Sequence, residues 1–435
     1  MQFNDEIDEY IPPSIQAKSK AKSKRTGDRP RAGKSALVLA GGGITGAVYE
    51  IGALRAMNDM LVNQTVNDFD IYVGTSAGAL VGSMIANGMT PDEMMQAIED
   101  NHPEVRGIQA SDIFQANVGE ALRRVPGLPA TLFRSLRTYA SHFNDMNLTD
   151  LLWNLTDLLP SGLFSGSALE HYLDEVLAHP GCTNRFDQLD KDLYIVATDL
   201  DTGERAVFGK GGKGIVPISK AVAASSAVPL LYKPVNIYGK EYIDGGIRGN
   251  ASIDLAIESG ADLVVCINPL APLNAPEIYG EGHHLSEGGM RAISRQVLRV
   301  LLHSGLRYHI KNLRHKYPDV DIILIEPRPD DQKMFGYDLM DYASRLRVIN
   351  HGFESVTVGL CENLPYFRQV LAAHGIRISP RLVQHELEEI RTANYAPDVL
   401  SRVFAQSARR RADVSLLGAM ERLESRLHRL NAGAL

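Results

Sequence analysis

Ala36-Leu37-Val38-Leu39-Ala40-Gly41-Gly42-Gly43-Ile44-Thr45-Gly46 is an apolar run that breaks up into glycines. The run reads as a buried strand, and the glycines as a turn into a helix whose first N–H groups have no partner of their own. Such a row of donors suits negative charge. Ile71-Tyr72-Val73 then leads into Gly74-Thr75-Ser76-Ala77-Gly78, the same kind of junction with a serine in it. A Gly-x-Ser-x-Gly elbow turns sharply from strand to helix and lifts the hydroxyl clear of the sheet. Repeated strand-to-helix junctions imply an α/β fold, with a mostly parallel central sheet flanked by helices. The pattern predicts strands near 35–40, 69–73, 193–199, 263–268 and 321–326, and helices near 45–61, 77–88, 166–178, 217–226 and 252–260.

An anion cradle beside a raised serine is the minimum equipment for acyl transfer, and ester hydrolysis is the reaction class it suggests. A base is still needed. Tyr242-Ile243-Asp244-Gly245-Gly246 ends a short strand with an aspartate and two glycines that permit a tight turn. In this order the three segments resemble the patatin-like phospholipase family, whose motifs read Gly-Gly-Gly-x-x-Gly, Gly-x-Ser-x-Gly and Asp-Gly-Gly. The likeness runs from about Ser35 to Pro269. It takes in Ala197-Thr198-Asp199-Leu200-Asp201-Thr202-Gly203 and Ala224-Ser225-Ser226-Ala227-Val228-Pro229.

The resemblance implies a serine–aspartate dyad without histidine: Ser76 as nucleophile and Asp244 as its partner. The loop Gly41, Gly42, Gly43 becomes the oxyanion hole, with the N–H groups of Gly42 and Gly43 as donors and Ala77 assisting. Gly46, Gly74, Gly78, Gly245 and Gly246 are the supporting motif positions. The implied activity is hydrolysis of phospholipid or lysophospholipid esters, with no cofactor and no metal. A neutral-lipid lipase or general carboxylesterase is the alternative within hydrolases, and a catalytically silent lipid-binding or scaffold protein is the alternative outside them. Two positions depart from the family pattern. Thr45 stands where Arg or Lys is common, and Asn250-Ala251-Ser252 replaces Asn-x-Pro. Because an aspartate at its reference pKa of about 3.9 is a poor base, Asp244 is expected in an apolar pocket that raises it.

Other chemistries compete for these residues. Gly41-x-Gly43-x-x-Gly46 also fits a dinucleotide fingerprint, which requires an acid at the tip of a second strand. Asp59 lies near the required distance but reads as the end of a helix. His283-His284 follows Asp244 in a glycine-rich stretch, so the order Ser, Asp, His leaves a triad open. No His-x-x-x-His or His-Glu-x-x-His pattern suggests a metal.

The chain has 435 residues, 44% hydrophobic and 22% charged, enough for a large core. A net charge of −7 opposes general nucleic-acid binding. Cys182, Cys266 and Cys361 form no framework, and neither a spanning run nor a signal h-region is apparent. A cytoplasmic protein that meets membrane lipid peripherally, from the water side, is expected.

Four parts are expected. Residues 1–34 hold acids, then Pro12-Pro13, then the basic run from Lys18 to Lys34, and read as a disordered arm. Docking on an anionic membrane and a plain solubilising tail remain equal readings of it. Residues 35–270 form the catalytic domain, with an apolar, proline-bearing insertion at about 101–165 that shows no clear strand. That insertion reads as a helical subdomain, with Trp153 in a core, or as a lid over an acyl pocket. Residues 271–397 are helix-rich with one strand near 321–326. Their long helix, Ser286 to Lys316, carries Arg291, Arg295, Arg299, His303, Arg307, Lys311 and His315 at steps of four. Those steps wind around the helix and suggest an ion-paired surface. Residues 398–435 form an amphipathic helix whose seam runs Leu416, Met420, Leu423, Leu427 and Leu430. Docking on the protein's own body is its first reading, homodimerisation the second and membrane insertion the third.

Overall fold

A computed structural model of the chain describes residues 33–120, 160–280, 282, 284–396, 399–400 and 402–403. The basic run up to Arg31, Trp153 with the middle of the insertion, His283 and the C-terminal seam lie outside the described residues.

Strand β1 (Lys34–Leu39) leads through the glycines into α1 (Gly43–Met60), and β2 (Ile71–Thr75) leads through Ser76 into α2 (Ala77–Ala86). Then come α3 (Pro91–Ile98), α4 (Ala110–Ile113), β3 (Gly162–Phe164), α5 (Ser167–Leu177), β4 (Asp192–Asp199) and β5 (Arg205–Gly209). Helix α6 (Ile218–Ser225) precedes three short strands, β6 (Leu230–Tyr232), β7 (Val235–Ile237) and β8 (Lys240–Asp244). The chain continues through α7 (Ile253–Glu258), β9 (Ala261–Ile267), α8 (Ala275–Tyr279), α9 (Gly289–Lys316) and β10 (Asp321–Ile325). It then passes through α10 (Gln332–Gly336), α11 (Arg345–Glu362), α12 (Leu364–Ala373) and α13 (Arg381–Thr392). The five expected strands and the five expected helices are all present.

The main sheet runs β10-β9-β1-β2-β4-β8-β7, with β5 also paired to β4. From β10 to β4 every pairing is parallel, while β5 and β8 run antiparallel to β4, and β7 antiparallel to β8. The insertion read as lacking a strand does contain one: β3, which pairs in parallel with β6. Three residues are too few for an alternating pattern to stand out, so the local sequence gave no signal for it.

The register around β4 brings distant segments together. Val196 pairs with Thr75 of β2, and the next residue, Ala197, pairs with both Ala206 and Asp244. Since β5 occupies one edge of β4 at Ala197, β8 must lie on the edge that β2 occupies one residue earlier. The C-terminal ends of β2 and β8 therefore meet head to head along one edge of β4.

Helix α1 is buried along nearly its whole length because it lies between the sheet and α11. The two helices approach so closely that a Cβ at Gly52 would fall 2.2 Å from the Ile349 carbonyl oxygen. Val348, Ile349 and Phe353 of α11 accordingly share one core with Leu37, Leu54 and Tyr72. Arg55, fully buried in α1, meets Asp59 at 2.6 Å, Asp92 of α3, and Glu386 of α13 at 3.8 Å, which ties three helices together. The cations of α9 are largely paired. Arg291 and Arg295 meet Asp338, His303 lies 3.1 Å from Glu326, and Arg307 lies 3.8 Å from the same carboxylate. No helix among the described residues is long and apolar enough to cross a membrane.

Candidate active site

Ser76 stands alone between β2 and α2 with φ 54° and ψ −119°. That backbone conformation costs a residue with a Cβ on the order of 1–3 kcal/mol and persists only when its surroundings enforce it. The enforcement is specific. The Ser76 N–H donates to Ser225 Oγ at 2.8 Å, and the Ser225 hydroxyl donates to the Val196 carbonyl at 2.6 Å. Ser225 is fully buried at the end of α6, so one hydroxyl clamps the elbow to β4. On the opposite side, Gly78 lets α2 rest on β1: a Cβ there would lie 2.3 Å from the Leu39 carbonyl oxygen.

Asp244 arrives on β8. Its N–H donates to the Ala227 carbonyl at 2.9 Å, and its own carbonyl accepts the Thr198 hydroxyl at 3.1 Å. Its carboxylate accepts the Gly246 N–H at 2.7 Å and lies near enough to the Ser76 hydroxyl for that hydroxyl to favour its charged form. Burial pushes this carboxyl from its ordinary 3.8 up to about 6, while the Ser76 hydroxyl and the Gly246 N–H pull in the opposite direction. The direction is the one expected from the sequence.

The glycine loop crosses directly above the serine. A Cβ on Gly41 would sit 3.3 Å from Ser76 Cβ and 2.8 Å from Asn250 Oδ1. Gly41, placed in the loop by the motif, gives its own N–H to the Asn250 carbonyl at 3.1 Å, which leaves the donor positions expected at Gly42 and Gly43. Gly42 caps α1 and Gly43, at φ +64°, opens it, while Ala77 opens α2. Their N–H groups belong to the first-turn donors that a helix leaves unpaired, and no acceptor for them occurs among the described residues. The next N–H groups are engaged: Gly46 bonds to Gly42, Thr45 to the Leu339 carbonyl at 3.2 Å, and Gly78 to Ala40 at 3.2 Å.

Ser76 also borders a cavity of about 110 Å³. Ile44, Val48 and Ile51 of α1, Leu80 and Met84 of α2, and Met94 and Ile98 of α3 supply much of its wall. Val105, Ile108 and Ile113, from the described start of the insertion, close it further. Its lining is predominantly apolar, as in pockets that take hydrocarbon, with Ser76 at its border. The segment between α10 and α11 passes over it, held at Thr45 through Leu339 and at the Ile108 carbonyl through the Tyr342 hydroxyl, 2.8 Å away.

His284 is exposed, and among the described residues no hydrogen bond joins it to Ser76 or Asp244; His283 lies outside them. Asp59 is buried within α1 against Arg55 and at no strand tip. Three contributors were not singled out as site residues: the Ser225 clamp, Asn250 behind the glycine loop, and the segment that carries Leu339 and Tyr342. Ser225 and Asn250 fall inside motif segments already quoted. The crossing segment gave no sequence signal, because loops that reach a site through tertiary packing have no periodicity.

A profile of the family described as Patatin-like phospholipase matches residues 37–257. The chain is 26% identical over 223 residues to an uncharacterized protein (R571) of Acanthamoeba polyphaga mimivirus, covering 50% of this chain and 60% of that one. It is 25% identical over 226 residues to the uncharacterized protein YqhO of Bacillus subtilis (strain 168), covering 50% and 64%. Over 222 residues it is 21% identical to a probable lipid hydrolase (463L) of Invertebrate iridescent virus 6, covering 51% and 63%. The chain thus spans less than two thirds of the length of these curated relatives. Among solved structures it is similar to VipD from Legionella pneumophila, with TM-score 0.36, 17% identity and coverage of 77% and 68%. It is also similar to a structure of SpcU with ExoU from Pseudomonas aeruginosa, with TM-score 0.34, 16% identity and coverage of 77% and 53%.

Proposed function

The chain belongs to the patatin-like phospholipase family, and we propose that it is a serine acyl hydrolase cleaving fatty-acyl esters of phospholipids or lysophospholipids. The observation that carries this reading is the juxtaposition of strained Ser76 with buried Asp244, whose carboxyl its hydroxyl influences, beside an apolar cavity. Asp244 takes the Ser76 proton as Oγ attacks the ester carbonyl. The oxyanion forms against the N–H groups of Gly42, Gly43 and Ala77, in a site where fixed donors act with little water to screen them. Collapse returns the proton to the leaving alcohol and leaves Ser76 acylated. Water, deprotonated by Asp244, then attacks the acyl carbonyl, releases the fatty acid and restores the serine. The acyl chain occupies the apolar cavity. Protons and bonds balance without a cofactor.

A neutral-lipid lipase or carboxylesterase would use the same atoms, so lipid class is decided by assay. A silent scaffold is disfavoured by the strain held at Ser76, which binding alone does not need. Contact with the membrane is peripheral in this reading, aided by the basic arm at anionic surfaces. Deleting residues 1–31 should weaken vesicle binding and spare hydrolysis of a short-chain ester. The primary test is fluorophosphonate labelling together with lipid profiling of wild-type and Ser76→Ala protein. Labelling and lysolipid release that both vanish in the variant support the reading. Labelling that persists in Ser76→Ala, or a wild-type protein inert to probe and lipid, sinks it.

A further inference from the structure

Arg345 opens α11 and lines the same apolar cavity as Ser76, together with Met340 and Tyr342. Its guanidinium lies 4.3 Å from the centre of the Tyr342 ring, and the Tyr342 hydroxyl is itself anchored to the Ile108 carbonyl. The cation is therefore held in place by a fixed aromatic face. Its Nε is buried and has no hydrogen-bond partner.

Carboxylates near it in sequence are committed elsewhere. Asp338 is held by Arg291 and Arg295, and Asp341 accepts the Ser344 N–H at 3.1 Å. Other arginines around the fold meet acids: Arg106 meets Asp112, Arg328 meets Glu362, and Arg391 meets Glu354. Arg345 forms no such pair with any carboxylate among the described residues. A guanidinium on an apolar wall calls for an anion, and its parallel N–H groups match the oxygens of a phosphate.

We propose that Arg345 receives the phosphodiester of the substrate lipid while the acyl chain fills the cavity, so that the site selects phosphate-bearing esters over neutral ones. This rests on the reading of Ser76 and Asp244 as an acyl-hydrolase pair.

The test compares full-length wild-type, Arg345→Met and Arg345→Lys proteins on palmitoyl lysophosphatidylcholine and monopalmitoylglycerol in the same uncharged detergent micelles. The acyl chain is then constant, and neither the lipid nor the micelle carries net charge that would attract the arm. Arg345→Met should lower kcat/KM on the lysophospholipid about ten-fold or more, chiefly through KM, and leave the monoacylglycerol within about two-fold. Arg345→Lys should recover part of the loss, since it keeps the charge without the fork. Fluorophosphonate labelling of Ser76 should be unchanged in both variants. Equal loss on the two substrates, no loss on either, or a wild-type preference for the neutral ester overturns the proposal. If Arg345→Met does not fold, the lysine variant decides on the same criterion. A wild-type protein whose labelling does not depend on Ser76 refutes the hydrolase reading instead, and the inference falls with it.

Discussion

The parallel and antiparallel halves of the sheet bring different halves of the candidate site. Strands β1 and β2 end, as parallel strands must, on the same side of the sheet, and there they deliver the glycine loop and Ser76 side by side. Strand β8 enters antiparallel to β4 and brings Asp244 to the same point from the opposite direction. A parallel strand in that place would have sent its C-terminus away from Ser76. The difference teaches that the proposed oxyanion donors and nucleophile come from one repeated βα pattern, whereas the proposed base comes from a reversal of direction that the pattern does not contain.

The largest expected effect isolates the parallel half. Ser76→Ala should abolish hydrolysis, a loss of roughly 10³-fold or more, with the melting temperature kept or raised because the hydroxyl is small and the cavity persists. Combining it with Asp244→Ala should cost no more than either change alone, since the two act as one unit. Additive losses in kcat would mean that the two halves work independently.

The second prediction concerns the antiparallel half and pH. The proposed mechanism needs Asp244 ionised, so activity should rise with pH through about 6. Stability should move the other way. The folded state holds the proton up to about 6 and the unfolded chain loses it near 3.8, so the unfolded state gains relative stability as pH rises between them. Above that window the burden is on the order of 3 kcal/mol. Asp244→Asn should therefore be inactive yet melt higher than wild type at pH 7, with the advantage gone below about pH 4. A variant that melts lower at pH 7 would show that the carboxylate stabilises the fold.

Legibility in the sequence follows the same division. The parallel strands and their helices were readable because β1 and β9 are continuous apolar runs and each of β1 and β2 ends in a glycine motif. The order of strands was not readable, since it depends on β4 accepting β2 and β8 on one edge at consecutive residues. Ser76 and Asp244 were named from motif alone, and the structure places them together. That the Asn250 carbonyl takes the Gly41 N–H was not readable, because a glycine row does not show which of its N–H groups find a partner. Arg345 escaped notice because one arginine at the start of a helix looks like any other. Its cavity is built from α1, α2, α3 and the insertion, far away in the chain.

The clamp between the halves gives a smaller effect. Ser225 joins the Ser76 N–H to the Val196 carbonyl, and Val196 is the residue of β4 that pairs with Thr75 just before the elbow. Ser225→Ala leaves a buried N–H and a buried C=O without that partner, so about 1–3 kcal/mol of stability should be lost. Activity should fall roughly ten-fold in kcat with KM little changed, because the elbow relaxes while the cavity is untouched. Ser225→Thr, which keeps the hydroxyl, should recover part of both. A change confined to KM would place the serine in substrate binding instead.

The smallest effect tests how β8 is held. Asp244 is anchored to its surroundings by its ladder pairing with Ala197, by its N–H to Ala227 and by its carbonyl to the Thr198 hydroxyl. Of these only the last can be removed without disturbing a backbone group's own geometry. Thr198 is buried, and Thr198→Val keeps its shape while deleting the donor. One neutral hydrogen bond is worth about 1 kcal/mol net, so in a chain of this length the melting temperature should drop by about one degree. Two backbone contacts still fix the strand end, so kcat should stay within about two-fold and the pH at half-maximal activity should not move. If that pH shifts while stability is preserved, the Asp244 carboxyl senses the hydroxyl through its own carbonyl, and the antiparallel half tunes the base as well as placing it.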